Sequence, residues 1–513
     1  MQLSVVLSRQ SNVISFGKTA LSKVLSSASV EEIARKSGAI VRSRQLKLHK
    51  YVAASLFVAG NSPNINNLTL NSVFNVYDML ADESKGEKLS KKCVHKHLDS
   101  DKMAECMKSL LERVCSVAAG LTQKNYQKIV PGDVRKLLRK LNVKDIILID
   151  GTEIDARPSL AKDEEFRGAN KGRPHLDGEP SRPCIKLHVA YSVAKQTFAY
   201  IDVTNACESE RAHVLTEKFS DCLIVADRGY VGAELEKKIA GSGNFFIIKG
   251  KSNTAGNIEA AFDSNSSEIP ELKGKKLKEA EIAERMDFDI SSVRYIHAAK
   301  EEPNRETAEE DELNAATPEE EECSREKPSC ETHRCRIARE PSLNGSDGEN
   351  VITLRTNLPR ELVSSEQLFM LYRIRWTVEI FNKVCKSSNA LHSINSGKKA
   401  IVYEFIVLSI MSNVIKTYLG YLAQISHNVE WMSMQKLNRY LTGSVLERFY
   451  AAILNYGKSK IYQVINDLLG LIAQNCQRGE PSARDRKLLK DFPTLVRAIN
   501  AIWDAPKKFF SVS

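Results

Sequence analysis

The sequence predicts an α/β protein whose β-rich middle is flanked by helical segments. Three observations carry that prediction. Up to about residue 130, apolar residues recur at helical spacing with few strand signals. From Val143 to about residue 255 the texture changes to short β-rich runs such as "IILID", "KLHVAYSV" and "CLIVAD". Beyond Ala400 the helical period returns.

Taken in order, "VKDIILIDGTEI" is a buried strand ending in polar residues. "CIKLHVAYSV" and "TFAYIDVTN" make a hairpin with Lys195 and Gln196 near its turn. "SERAHVLTEKF" reads as a short helix and "CLIVADRGY" as a buried strand running into a turn. The helix "VGAELEKKIAG" and the strand "NFFIIKGK" come next. Three strands, a helix, a strand and more helices make a ribonuclease-H-like α/β order, whereas an all-parallel nucleotide-binding fold would alternate strand and helix from the start. The expected divisions are a helical DNA-binding domain over 1–130, the first part of the core over 140–255 and a β-rich insertion over 256–350. The second part of the core lies over 351–420, then a helical C-terminal domain over 421–513, a candidate for dimerisation.

Composition bounds the partners. The 513 residues are 42% hydrophobic and 27% charged, ordinary for a soluble globular chain. The formal net charge is +10, and it is unevenly spread. Glu301 to Glu326 holds twelve acidic and two basic residues, a net of −10, so the remainder carries +10 − (−10) = +20. The first fifty residues hold nine Lys or Arg against two Glu, a net of +7. A basic body favours a phosphate-backbone partner. The acidic tract has almost no aromatic residues and the composition of a disordered segment. Eleven scattered cysteines make no secreted disulfide framework and point to a reducing cytosol. The N-terminal "MQLSVVLSRQSNVISFGK" lacks the pattern of a secretory signal. The most apolar stretch, from Ala400, contains Glu404, Asn413 and Lys416, which suits a buried helix better than a membrane span. A cytoplasmic protein with no membrane partner is expected.

Within the N-terminal part, Ser29 reads as an N-cap with Glu31 and Glu32 in the first turn. Ala34 and Gly38, four apart, suit a helix-turn-helix. Arg42, Arg44, Lys47 and Lys50 come after them, on the segment that would meet DNA. An ordinary basic amphipathic helix fits the same residues. A second basic helix is expected in "KLSKKCVHKHL".

The stretch "LYRIRWTVEIFNKVCK" reads as one helix. At about 100° per residue, Tyr372, Arg375, Glu379 and Lys386 form a polar stripe roughly 21 Å long, while Ile374, Val378, Ile380, Phe381 and Val384 face a core. Two aspartates, Asp150 and Asp227, close buried strands. Each alone suits a turn former or a cap, and the stripe alone suits a solvated face. Together, two strand-end aspartates and one helical glutamate supply three hard oxygen ligands. That set suits Mg²⁺, two ions of which would activate a water or 3′-hydroxyl and stabilise the leaving oxygen in an in-line phosphoryl transfer. Arg375 would hold a phosphate bidentately, Lys386 would act as a point charge and Tyr372 would donate a hydrogen bond.

These motifs resemble bacterial insertion-sequence transposases of the DDE type, in the branch with a Tyr-Arg-Glu-Lys (YREK) signature, Y-x2-R-x3-E-x6-K. Tyr372, Arg375, Glu379 and Lys386 match all three spacings. "DRGY" at Asp227–Tyr230 is similar to the family's second-aspartate motif. "DGT" at Asp150–Thr152 is similar to the first, although Gly151 stands where Ser or Thr is expected. "KLHVAYSV" and "TNLP" also resemble family segments, so the likeness covers about residues 140–420. It implies a ribonuclease-H-like core that cuts double-stranded DNA at transposon ends, commonly through a hairpin, and joins the 3′ ends to a target. It also implies Mg²⁺ or Mn²⁺, two ions per site, held by Asp150, Asp227 and Glu379. Tyr372, Arg375 and Lys386 would contact the transposon end, assisted by Arg228 and Tyr230. A homodimer in the DNA complex and a place at the bacterial nucleoid are implied by the same likeness. The same core would also suit a catalytically silent DNA-binding regulator or a non-transposing nuclease.

Hairpin-forming relatives stack a flipped base on an aromatic residue of the inserted region. None of the three tryptophans, Trp376, Trp431 and Trp503, falls there. Phe288 or Tyr295 would have to serve, unless this member does not flip a base at all. Cys323, Cys330, His333 and Cys335 lie close in sequence, but their spacings match no common zinc finger.

Overall fold

The computed structural model describes residues 20–498, with breaks at 41–45, 62–67, 169–182, 297–328, 343–350 and 478–489 and at isolated stretches of no more than three residues. The acidic tract from Glu301 to Glu326, Cys323, Arg42 and Arg44 lie outside the described residues.

Among the described residues, six helices precede the first strand: α1 (Ser27–Lys36), α2 (Leu48–Gly60), α3 (Leu70–Leu80), α4 (Lys91–Leu98), α5 (Asp101–Lys124) and α6 (Gly132–Lys140). α1 starts earlier than Ser29 suggests. Ser26 is its N-cap, accepting a hydrogen bond from the Ser29 N–H at 3.4 Å, and Ser29 is buried inside the helix. Gly38 takes φ +71°, the left-handed turn that its spacing from Ala34 implies.

α2, which follows the basic segment after Gly38, is a core helix. Leu48, Tyr51, Val52, Leu56 and Val58 are all buried, so apolar contacts surround it. Lys50 is ion-paired with Glu87 at 2.6 Å and donates to the Leu80 carbonyl at 2.8 Å. Lys47 is half-buried at the N-cap, and its N–H donates to the Tyr77 hydroxyl.

The strands are β1 (Asp145–Asp155), β2 (Cys184–Ser192), β3 (Thr197–Asn205) and β4 (Cys222–Ala226). After α7 (Ala233–Gly241) come β5 (Phe245–Lys249), β6 (Asn257–Phe262), β7 (Met286–Ile296), β8 (Ser329–Pro341) and β9 (Val351–Thr356). All nine belong to one sheet, in the order β3-β2-β1-β4-β5-β9-β8-β7-β6. β1, β4 and β5 are mutually parallel through β4, and the other pairs are antiparallel. β2 and β3 form the expected hairpin, with Gln196 at φ +55° in the turn. The region between them and β4 is not one helix. It makes two 3₁₀ turns, Glu210–His213 and Thr216–Lys218, separated by the extended Val214. β6, β7 and β8 extend the sheet beyond β9.

Strand alternation divides the interior. Ile146, Leu148, Leu223, Val225 and Ile247 face one apolar cluster, and Ile147, Ile149, Ile224, Ala226 and Ile248 face another. The first cluster runs from Leu21 to Ala498 and also takes in the later helices: α8 (Ser365–Tyr372), α9 (Trp376–Ser388), α10 (Lys399–His427), α11 (Met434–Tyr440), α12 (Gly443–Asn455) and α13 (Lys458–Asn475). The most apolar stretch of α10 is 89% buried inside the protein. Glu404, Asn413 and Lys416 are interior, and the Lys416 ammonium donates to the Gly60 carbonyl of α2 at 2.7 Å.

Candidate active site

β1 and β4 pair in parallel from Asp145↔Cys222 to Leu148↔Val225. Two residues further on, Asp150 and Asp227 therefore stand side by side on the face of Leu148 and Val225, with strands about 4.8 Å apart. Asp150 is not at a strand end. Its pairing with β2 continues through Asp150↔Val189 to Asp155↔Cys184, long after the pairing with β4 has stopped. The polar end of "IILIDGTEID" stays in the sheet because an antiparallel neighbour supplies its backbone partners. Asp227 comes directly after β4 and precedes the 3₁₀ turn Arg228–Tyr230. Val225↔Ile247 on β5 extends the row to Lys249, a half-buried cation that no motif in the sequence marks.

The third carboxylate arrives from above the sheet. Ser364 and Gln367 form a capping box that starts α8. The expected single helix is interrupted: a 3₁₀ turn, Arg373–Arg375, joins α8 to α9. In a 3₁₀ turn residues three apart eclipse, and the Arg375 guanidinium lies 5.3 Å from the centre of the Tyr372 ring. The Tyr372 hydroxyl donates to Asp227 Oδ1 at 3.1 Å. Arg375 is ion-paired with Glu379 and only 6% exposed, so it faces the carboxylates and not solvent. Three residues after Glu379 on the same helix face, Asn382 donates to Asp150 Oδ2 at 2.8 Å. Nothing in the sequence singles out Asn382 beyond that spacing.

The charges are unequal in their comfort. Burial pushes Asp150 up to about 7, helped by Glu379 and Asp227 and opposed by Arg375 and Asn382. Burial also works against the Asp227 charge, but Arg375, the Arg228 N–H, Tyr372 and Lys249 hold its carboxyl below the usual value. Burial raises the Tyr372 phenol far above its ordinary range, so it remains a donor. Arg375 stays protonated despite burial because Tyr372, Asp227, Glu379 and Asp150 surround it. Its Nε nevertheless finds no acceptor among the described residues.

An open groove of about 390 Å³ lies beside this group, lined by Asp150, Thr152, Glu379, Asn382, Lys383 and Lys386 among others. Lys386 and Lys383 thus line the same groove as Asp150 and Glu379. Arg228 is half-buried next to Asp227. Tyr230 is not a surface group: it is 1% exposed, in the second core. Phe288 is fully buried in β7 and offers no stacking face, and the side chain of Tyr295 lies outside the described residues.

Asp150, Asp227 and Glu379 fit hard divalent cations by donor type, and Asp150 in particular carries a desolvated charge that a cation would relieve. Among the described residues, the group whose ligand atoms all fall within 4.8 Å is a different one, Glu236, His333 and Cys335. A pair of ions about 3.5–4 Å apart does not require all three carboxylates to be that close. The Glu236 group fits a metal poorly. Arg355 donates to both Glu236 oxygens, at 2.7 and 2.8 Å, and His333 Nε2 lies 2.8 Å from one of them. Burial pushes the Cys335 thiol up to about 12, so it holds its proton. A guanidinium already fills the cation position there.

Aspartates from two parallel strands, set beneath a glutamate on a covering helix, define a protein that collects carboxylates where two interior strands part, beside lysines. The chain belongs to the transposase DDE domain family, whose pattern matches residues 141–414 and so takes in all three carboxylates. It is 25% identical over 263 residues to the transposase for insertion sequence element IS1151 of Clostridium perfringens. That alignment covers 48% of this chain and 52% of the relative, so the chain spans about half the length of the relative it matches. A cryo-EM structure of the piggyBac transposase synaptic complex with hairpin DNA covers 86% of this chain and is itself 80% covered, at 14% identity. With a TM-score of 0.32, that likeness carries no weight for the function of this chain.

Proposed function

We propose that this chain is an insertion-sequence DDE transposase of the YREK branch, with a ribonuclease-H-like core. In this reading it binds the inverted repeats at transposon ends, cuts the DNA and transfers the 3′ ends to target DNA, with two copies in the DNA complex. The observation that carries the reading is the shared register of Asp150 and Asp227 on parallel neighbours, with Glu379 brought over them by α9.

Asp150, Asp227 and Glu379 would hold two Mg²⁺ or Mn²⁺ ions, which supply Lewis acidity at the attacking and leaving oxygens. The chain's own groups do the rest. Asn382 fixes the orientation of Asp150, and Tyr372 does the same for Asp227. Lys386 and Lys383 line the groove and offer point charges to a DNA backbone. Arg375 holds positive charge among the carboxylates, and gripping a phosphate would require it to exchange Glu379 for that group.

The test is incubation with DNA carrying the element's ends and Mg²⁺. Cleavage and joining are expected from the wild type, and no cleavage from Glu379→Ala. Cleavage that survives in Glu379→Ala would overturn the site. Products cut but never joined would identify a nuclease, and binding without cleavage a regulator. Binding should also weaken steeply with salt.

A further inference from the structure

Gly151 and Gly229 are not required by their own backbones. Neither has a positive φ, unlike Gly38 or Gly243, so other residues would suit their conformations. What occupies the space of a side chain at both positions is one carboxylate. A Cβ on Gly151 would stand 2.8 Å from Glu210 Oε1, and a Cβ on Gly229 would stand 2.6 Å from Glu210 Oε2. Glu210 opens the first 3₁₀ turn after β3, and its carboxylate reaches between the residue after Asp150 and the second residue after Asp227. By strand alternation Gly151 points away from the face that carries Asp150. Glu210 therefore underlies the two aspartates from the opposite side of the sheet.

The seat is built on both sides. Lys186 Nζ lies 3.7 Å from Glu210 Oε1 and donates to the Glu208 carbonyl at 3.2 Å, which anchors the carboxylate's end of the loop. The next residue, Arg211, donates to the Val231 carbonyl at 3.2 Å, and a Cβ on Gly232 would stand 3.0 Å from that guanidinium. The 210–211 pair is thus pressed against 228–232, the turn that carries Asp227 into the site. Gly151 of the "DGT" triplet leaves the volume that Glu210 fills.

We propose that Glu210 is a positioning residue for the two aspartates. Its carboxylate, seated against Gly151 and Gly229, fixes the separation of Asp150 from Asp227 where β1 and β4 are no longer paired, and so sets the affinity of the site for divalent ions. The inference rests on the reading of Asp150, Asp227 and Glu379 as a cation site. It makes Glu210 a spacer that acts by shape, with no contact to the ions.

The test is titration of the full chain with Mn²⁺, monitoring free ion by electron paramagnetic resonance, with thermal melting recorded in parallel. Glu210→Ala should weaken binding about tenfold, near the low end for groups that support metal ligands. Gly151→Ala expels the carboxylate and should weaken binding by a similar factor. The double variant should be no weaker than either single one, because each change removes the same seat. Glu210→Gln keeps the shape and should bind within about twofold of wild type, which separates spacing from charge and from general damage to the fold. Wild-type affinity in Glu210→Ala, or additive losses in the double variant, would overturn the proposal. Asp227→Asn serves as the reference. If it binds Mn²⁺ as the wild type does, the cation-site reading fails; if it loses binding while Glu210→Ala does not, the spacer alone fails.

Discussion

Asn382 Nδ2 donates to Asp150 Oδ2 across 2.8 Å, tying the helix that carries Glu379 to the strand that carries Asp150. Asn382 is buried and Asp150 half-buried, and Asn382 is one of the groups that oppose the upward shift of Asp150. Asn382→Ala should weaken Mn²⁺ binding about tenfold. Asn382→Asp should do more, since it adds a like charge beside two carboxylates. Isothermal calorimetry checks the order, and equal affinities in the three proteins would contradict it.

Lys249 extends the row of Asp150 and Asp227 onto β5 and supports the charged form of Asp227. If it also meets DNA backbone, Lys249→Ala should lower the slope of log affinity against log salt by about one. Lys249→Arg should keep the slope, and cleavage should track the same order. Fluorescence anisotropy across a salt series measures it.

α10 carries two buried titratable groups that pull stability in opposite directions. Burial raises Glu404 from 4.5 to about 8, so the folded state holds a proton the unfolded chain has lost. That contribution is complete below pH 4.5 and is lost as pH rises to about 8, at no more than about 1.4 kcal/mol per pH unit. Burial lowers Lys416 from 10.5 to about 7, so its cost is full below about 7 and relieved as pH rises towards 10.5. Glu404→Gln should flatten melting temperature between pH 5 and 8, and Lys416→Met should flatten it between pH 7 and 10. A profile unchanged by either substitution would contradict the assignment.

Glu236 is buried and held below its usual value, against the effect of burial, by His333 and Arg355. Arg355→Met strands that carboxylate and should cost about 3–5 kcal/mol of stability in urea titration. A zinc chelator should leave the wild-type melting temperature where it is, because the guanidinium fills the cation position.

The strands, their hairpin and the three carboxylates were legible because each left a local mark: an apolar run, a turn pair, an acidic residue at a change of polarity. The break at Arg373–Arg375 was not, since a 3₁₀ turn keeps the apolar rhythm of the helices on either side. Nor was the burial of Tyr230, Phe288 and α2, because a polar or basic flank says nothing of what packs against it from elsewhere in the chain. Asn382, Lys249 and Glu210 acquire meaning only through register across strands distant in sequence. Gly151 was visible as a departure from the family pattern, but its reason lies fifty-nine residues away, in Glu210.

An anomalous difference map from crystals soaked in Mn²⁺ bears most directly on the cation site. Density is expected within roughly 2.0–2.6 Å of carboxylate oxygens from Asp150, Asp227 and Glu379, with Arg375 displaced from Glu379. Density confined to Glu236, His333 and Cys335, or none near the β1–β4 pair at saturating Mn²⁺, would contradict it.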